Sequence, residues 1–174
     1  MKKKVFRMLS LLLCLLLPLT ACAETAEPQE TEPLNVIDFF NQYTQLDLTP
    51  HRGKTILINF FTEWCTYCMQ EMPDMKEVND LYDSESFHMV LVHVWDGEDE
   101  SNTESVKERF GMQHMNFFED TDRMAASAAG VPGYPATLIV GPDGTLIGAQ
   151  SGMLTLDVLT EFLDSMGVER VAAE

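Results

Sequence analysis

Two cysteines separated by two residues, Cys65 and Cys68, constrain this 174-residue chain more than any other feature. Before them lies an apolar run, residues 55–61, whose β-branched and aromatic side chains predict a buried strand. After them, apolar residues recur every three to four positions, which predicts a helix. A Cys-x-x-Cys pair at the junction of a strand and a helix is typical of a redox-active thiol pair. We therefore expect an α/β fold with a reversible disulfide at that junction.

The predicted position of Cys65 suits thiol chemistry. Disulfide exchange requires a thiolate, and an ordinary cysteine supplies little of it at neutral pH. In the first turn of a helix, Cys65 would meet backbone N–H groups and the positive end of the helix dipole, which stabilise the anion. Cys68 lies one turn further on the same face, where it can resolve a mixed disulfide formed at Cys65. Trp64 would shield the sulfur and offer an apolar surface to a partner.

Other uses of the cysteine pair are less well supported. Structural zinc needs two more ligands, and the remaining cysteines lie in the N-terminal segment. Covalent haem attachment needs a His directly after the second Cys, where Met69 stands. His88 and His93, five apart on a predicted strand, would point to opposite faces. We predict no metal and no cofactor. A static disulfide stays open, although so short a loop adds little stability.

The N-terminus is expected to direct export. Residues 1–21 have a basic start and a short apolar run typical of a secretory signal peptide. The run ends in Leu19-Thr20-Ala21-Cys22, which resembles the bacterial lipobox, so we expect cleavage before Cys22 and lipidation of its sulfur. The alternative is an ordinary signal with an incidental cysteine. Residues 22–33 are predicted to form an acidic flexible tether, and residues 34–174 a single domain.

The charge balance excludes one class of partner. The chain carries 11 Lys and Arg against 28 Asp and Glu. Removal of residues 1–21 takes away four basic residues and leaves 7 against 28, a formal net charge of -21. Such a surface argues against nucleic-acid binding. It also disfavours contact with anionic lipid except through an anchor.

The predicted elements alternate between strands and helices. Residues 35–47 should form an amphipathic opening element. Strands are expected at 55–61, 87–95, 116–118, 137–140 and 145–150, and helices at 65–82, 103–110, 122–129 and 154–166. Strands joined by helices and followed by a hairpin predict a mixed central sheet with helices on both faces.

A second motif, Tyr134-Pro135, precedes the predicted hairpin. A cis X-Pro bond in a folded protein is usually a specific feature, and an aromatic residue before Pro favours it. The position of this pair after a Cys-x-x-Cys helix and before the Asp143-Gly144 turn makes a cis bond the expected form.

Taken together, residues 53–167 resemble the extracytoplasmic thioredoxin-like reductases of the TlpA/ResA type. The matching motifs are Gly53-Lys54, Trp64-Cys65-x-x-Cys68, Glu71-Met72-Pro73, residues 120–123, residues 133–137 and Pro142-Asp143-Gly144.

The resemblance implies a thioredoxin-like fold and a set of roles. Cys65 would be the nucleophile and Cys68 the resolving thiol, with Glu71 tuning the thiol pKa values and passing protons. Pro135 would be the cis proline of a loop that pairs with the substrate chain. Trp64 and Tyr134 would form the surrounding substrate surface.

Three positions depart from familiar patterns. Asn59 occupies the place where cytoplasmic thioredoxins carry a buried Asp, so the proton-accepting role of that Asp is absent, as it tends to be in the TlpA/ResA group. Thr66-Tyr67 lacks the usual Pro before the second Cys, a pair that helps to set the reduction potential. Tyr134 stands where the family often has Thr.

These observations lead to one functional hypothesis and two competitors. We expect a thiol–disulfide oxidoreductase, anchored to the outer face of the cytoplasmic membrane, that reduces disulfides of exported proteins. A CcdA/DsbD-like membrane thiol carrier would then re-reduce Cys65 and Cys68. The competitors are a disulfide-introducing oxidase of the same fold and a non-catalytic binding module with a static disulfide.

Overall fold

The computed structural model describes residues 34–95, 97 and 103–172. The predicted signal peptide, the tether and Cys22 lie outside the described residues. The helices are α1 (Val36–Tyr43), α2 (Thr66–Leu81), α3 (Thr103–Phe110), α4 (Met124–Ala128) and α5 (Leu156–Ser165), with a 3-10 turn at Thr49–His51. The strands are β1 (Thr55–Phe61), β2 (Phe87–Val94), β3 (Asn116–Asp120), β4 (Ala136–Val140) and β5 (Leu146–Ser151).

The five strands form one mixed sheet in the order β3-β2-β1-β4-β5. β1 pairs with β2, and β2 with β3, in parallel, whereas β4 runs antiparallel to both β1 and β5. The central strand β1 is buried along its whole length, as expected for a strand covered on both faces. The predicted mixed sheet is confirmed.

Alternate side chains of β1 enter two separate apolar cores. Leu57 and Phe61 pack in a core with Met72 and other residues of α2 and α5. Ile56 and Phe60 pack on the other face with residues of α1 and α4. Helices therefore cover both faces of the sheet, as predicted. Within the described part of the chain, none of the helices has both the length and the apolar character needed to cross a bilayer.

Polar side chains account for some of the boundaries that differ from prediction. β3 continues to Asp120, which is 1% exposed and whose carboxylate accepts hydrogen bonds from the Ala125 and Ala126 amides at 3.0 and 2.9 Å. These bonds satisfy amides at the start of α4, so α4 begins at Met124 rather than at residue 122. Likewise α1 ends at Tyr43, because the Asn41 side chain accepts from the Leu48 amide and turns the chain.

The start of α5 depends on α2. Glu71 accepts a hydrogen bond from the Leu154 amide at 3.1 Å, and Asp74 accepts one from the Leu156 amide at 3.0 Å. Side chains of a neighbouring helix thus satisfy amides at this helix start. α5 consequently begins at Leu156, two residues later than the apolar pattern predicts.

Candidate redox site

Cys65 and Cys68 lie at the predicted junction and form a disulfide, with their Cα atoms 5.2 Å apart. Cys65 is the N-cap residue of α2, and its Sγ accepts a hydrogen bond from the Cys68 amide at 3.2 Å. Cys65 is 6% exposed, whereas Cys68 is fully buried. The sulfur that an incoming partner can reach therefore belongs to Cys65. The same sulfur faces the helix N-terminus, where a thiolate is stabilised.

The loop before β4 lies beside the cysteine pair. Its Tyr134–Pro135 peptide bond is cis, as the resemblance implies. The rings of Trp64 and Tyr134 meet edge to face, with centroids 6.3 Å apart. Tyr134 also packs against the core that contains Cys65 and Cys68. The structure thus brings together the two motifs that the sequence singled out.

The outer rim of the site is aromatic. Trp64 is 58% exposed and Tyr67 is 63% exposed. Pro135 is buried, and its carbonyl accepts a hydrogen bond from the Gly152 amide at 2.8 Å. Large apolar side chains left exposed around a reactive sulfur are suited to contact with a protein partner.

Glu71 is more deeply placed than the sequence suggests. Its side chain is fully buried one turn beyond Cys68, and one carboxyl oxygen accepts from the Leu154 amide. Burial raises the pKa of Glu71 to about 7, against the opposing effects of the Leu154 hydrogen bond and the Asn59 amide. Asp74 on the same helix raises it slightly further. A carboxyl with this pKa exchanges protons near neutral pH.

Asn59 lies next to this carboxyl on the central strand. It is fully buried, and its Nδ2 donates to Thr137 Oγ1 at 3.1 Å on the paired strand β4. The Asn59 Oδ1 and Glu71 Oε2 atoms have no hydrogen-bond partner among the described residues. Sequence reasoning identified Asn59 but missed its partner Thr137 and the contact of Glu71 with Leu154. The one available signal was a polar residue in the apolar run 55–61.

Two of the histidines, His88 and His93, stack on other rings. His88 stacks on His51 with centroids 3.3 Å apart, and His93 stacks on Phe61 at 4.9 Å on the other face of β2. Over residues 34–95, 97 and 103–172, no three His, Cys, Asp or Glu side chains are placed to share a metal ion.

Comparison with known proteins agrees with the geometry. A family model described as the AhpC/TSA family matches residues 33–149. The thiol-disulfide oxidoreductase ResA of Geobacillus thermodenitrificans is 31% identical over 119 residues, which cover 68% of this chain and 67% of the relative. ResA of Bacillus subtilis is 25% identical over 120 residues, covering 69% and 65%. The chain thus spans about two thirds of the length of these relatives. Their names confirm the predicted enzyme class, a thiol–disulfide oxidoreductase.

Solved structures show the same fold. StoA from Bacillus subtilis has a TM-score of 0.58 and 19% identity, covering 65% of this chain and 84% of its own. A thioredoxin family protein from Chlorobium tepidum has a TM-score of 0.62 and 20% identity, covering 78% and 97%. The exposed lipoprotein thioredoxin of Streptococcus pneumoniae has a TM-score of 0.58 and 19% identity, covering 68% and 89%. With its thioredoxin-like fold, the chain belongs to the AhpC/TSA family.

Proposed function

We propose that this protein is a membrane-anchored, extracytoplasmic thiol–disulfide oxidoreductase that reduces disulfides of exported proteins. The observation that carries the proposal is the asymmetry of the cysteine pair. Cys65 keeps 6% of its surface exposed and caps a helix, whereas Cys68 is fully buried. One sulfur is thus placed to attack a partner, and the other to complete the exchange.

The exchange begins with the reduced protein. The Cys65 thiolate attacks one sulfur of a partner disulfide, forms a mixed disulfide and releases the second partner sulfur as a thiolate. Cys68 then loses its proton and attacks the Cys65 sulfur. The Cys65–Cys68 disulfide forms, and the partner leaves as a dithiol that has gained two electrons, one proton that began on Cys68 and one proton from solvent, which balances the proton that Cys65 lost on becoming a thiolate. A CcdA/DsbD-like membrane thiol carrier returns the two electrons to the protein.

Glu71 is the proposed proton acceptor for Cys68. Near neutral pH it is present in both protonation states, because its pKa is about 7. The ionised carboxylate takes the Cys68 proton when that thiol attacks, and later gives it up to the departing partner thiolate or to solvent. Trp64, Tyr134 and Pro135 form the surface on which the partner chain lies.

The buried carboxyl also weighs against a binding module with a static disulfide. Burial of a carboxyl disfavours its charged form, and a purely structural disulfide needs no such group beside it. The oxidase alternative uses the same residues and runs the disulfide exchange in the opposite direction. A small change in energy is enough to reverse it, because a shift of 30 mV in the reduction potential corresponds to about 1.4 kcal/mol.

The deciding measurement is the reduction potential of the Cys65–Cys68 pair in a protein lacking residues 1–33. A value near or below about -270 mV supports the reductase, and one near -120 mV supports the oxidase. Insulin reduction by the wild type, with Cys65→Ala as the control, tests for catalysis. If no reversible couple and no Cys65-dependent reduction are found, the binding module replaces the proposal.

Anchoring is proposed through lipidation of Cys22. It is supported by the lipobox-like sequence at residues 19–22 and by the pneumococcal relative named as an exposed lipoprotein thioredoxin. Expression of the full chain with a labelled fatty acid in a bacterial host should label the wild type but not Cys22→Ala. Equal labelling of both proteins would exclude Cys22 as the anchor.

A further inference from the structure

Glu63 is the one charged residue close to Cys65 in the sequence. Between Lys54 and Glu71 the chain carries no other Asp, Glu, Lys or Arg. The loop that contains the cis proline, residues 131–137, is also uncharged. A single charge in an uncharged neighbourhood has no opposite charge beside it to offset its field. Over residues 55–70, any charge effect on the Cys65 thiolate therefore comes from Glu63.

A turn keeps Glu63 close to Cys65. The turn spans residues 62–65, and the Cys65 amide donates to the Thr62 carbonyl at 3.3 Å. Because consecutive Cα atoms are about 3.8 Å apart, the Cα atoms of Glu63 and Cys65 lie within about 7.6 Å of each other. Glu63 is half-buried, so its carboxylate is partly shielded from water. Its charge is consequently screened less than a charge on the open surface.

Ser105 holds the Glu63 carboxylate in place. Ser105 lies in the first turn of α3, and its hydroxyl donates to Glu63, with Oγ 3.4 Å from Oε1 and 3.3 Å from Oε2. The positive end of the α3 dipole also favours a carboxylate at this position. The bond joins residues 42 positions apart and ties the turn before Cys65 to α3. A carboxylate held in this way does not swing out into solvent, where its charge would be screened.

The charge on Glu63 opposes the effect of the helix start on Cys65. The N-terminus of α2 stabilises the Cys65 thiolate, whereas a nearby negative charge destabilises it. The disulfide of the oxidised protein is uncharged, so the charge on Glu63 acts mainly on the reduced form. A thiol pair is a strong oxidant when its reduced form is stabilised. A carboxylate beside the thiolate therefore shifts the pair towards reduction of its partners.

We propose that Ser105 is a positioning residue that holds the Glu63 carboxylate beside Cys65, and that this fixed charge makes the cysteine pair a stronger reductant. The proposal rests on the proposed function and deepens it, because it names a group that favours reduction over the oxidase alternative. Glu63 forms no bond with a sulfur and takes up no proton in the exchange. Its charge changes only the relative stability of the reduced and the oxidised protein.

The other charged groups around the cysteine pair stay the same when Glu63 is changed. From α2, Glu71 is buried one turn beyond Cys68 and has a pKa of about 7. From α3, Glu104 and Lys107 form an ion pair with each other. The cis-proline loop contributes no charge. A difference between the wild type and a variant that lacks the Glu63 charge therefore reports the effect of Glu63.

The thiol pKa of Cys65 gives the first test. Protein lacking residues 1–33 keeps both apolar cores. In its reduced form, the pH dependence of alkylation by iodoacetamide gives the pKa of the Cys65 thiol, since Cys68 is fully buried. Glu63→Gln removes the charge but keeps an oxygen that can accept from Ser105. This variant should lower the thiol pKa by about half a unit, which is about threefold in acidity.

The reduction potential gives the second test. At a pH at which Cys65 is ionised, a threefold change in the equilibrium with glutathione corresponds to about 14 mV, because a tenfold change corresponds to about 29.6 mV. Glu63→Gln should therefore have a potential about 14 mV higher than the wild type. Glu77→Gln, the same change at an exposed position further along α2, is the matched control and should leave the thiol pKa and the potential unchanged.

Ser105→Ala separates the position of the carboxylate from its charge. Glu63 stays charged in this variant but is free to turn into water, so the thiol pKa should fall and the potential should rise, each by less than in Glu63→Gln. When Ser105 is already Ala, the further change Glu63→Gln should have a smaller effect than it has in the wild type. A bond with only a structural role would lower the unfolding free energy in Ser105→Ala and leave the thiol pKa unchanged.

A Glu63→Gln variant with the thiol pKa and the potential of the wild type would overturn the inference, as would a shift in the opposite direction. If Glu63→Gln does not fold, Ser105→Ala decides the question, because an unchanged thiol pKa there contradicts the role of a held charge. The proposed function fails on other results, a wild-type potential near -120 mV or the absence of Cys65-dependent insulin reduction. The difference between variant and wild type depends on neither, so the two failures are distinguishable.

Discussion

Replacement of Glu71 by Gln should change the pH dependence of stability in a defined direction. The pKa of this carboxyl rises from 4.5 to about 7 on folding, chiefly because burial removes it from water. The folded protein therefore retains a proton that the unfolded chain has released between these pH values. The stabilisation is complete below pH 4.5 and is lost as the pH rises through 7.

The magnitude follows from the size of the shift. A difference of about 2.5 pH units, at 1.36 kcal/mol for each unit, gives about 3 kcal/mol of unfolding free energy. The glutamine side chain of the Glu71→Gln variant remains neutral and can make the same contacts as the protonated acid. This variant should thus equal the wild type at pH 4 and exceed it by about 3 kcal/mol at pH 8.

Urea unfolding of the oxidised proteins between pH 4 and 8 measures this difference. Other titrating groups are common to both proteins, so their contributions cancel. Glu77→Gln, an exposed change on the same helix, is the matched control and should follow the wild type at every pH. A difference between Glu71→Gln and the wild type that stays constant over the whole range would refute the reasoning.

Three further predictions concern the disulfide exchange, the aromatic rim of the site and a partly buried histidine at the start of β2. Cys68→Ala should accumulate a mixed disulfide with a protein substrate, visible on a non-reducing gel, whereas Cys65→Ala should form none; equal trapping by both would contradict the assigned roles. Trp64→Ala should raise KM for a protein disulfide about tenfold, because it removes about 1–2 kcal/mol of contact, with an unchanged reduction potential; an unchanged KM would exclude Trp64 from the substrate surface. Burial, with smaller effects from His51 and Lys54, lowers the pKa of His88 to about 4. The contribution of His88 to the unfolding free energy should therefore be full above pH 6.5 and fall by at most about 3 kcal/mol as the pH drops towards 4. If a His88→Gln variant loses unfolding free energy with falling pH as steeply as the wild type in urea unfolding, the prediction is wrong.

The strongly patterned elements could be predicted from the sequence alone. β1 and α3 have the predicted bounds, and α2 differs by one residue at each end. In these segments, apolar periodicity and turn residues specify the same structure that packing selects. Cys65 and Cys68 could be identified because two cysteines separated by two residues, between a strand and a helix, are a local sequence pattern typical of a redox site.

The supporting contacts of the site could not be predicted in the same way. Asn59 and Thr137 are 78 residues apart, and Glu71 and Leu154 are 83 apart. A helical pattern places Glu71 beside the buried residue Met72, but only the segment before α5 determines whether the carboxyl is covered. Sequence periodicity describes which face of an element is buried, not which distant backbone amide completes a hydrogen bond.

The short stretch 152–154 has a consequence for local opening of the site. Its first amide, on Gly152, binds the carbonyl of Pro135, and its last amide, on Leu154, binds the carboxyl of Glu71. Burial disfavours the charged form of Glu71, so opening of this stretch, which returns the carboxyl to water, becomes easier once Glu71 has lost its proton. The same opening releases the cis-proline loop, on which we propose that the partner chain lies. This loop should therefore open more readily in alkali than in acid, while the fold as a whole remains intact.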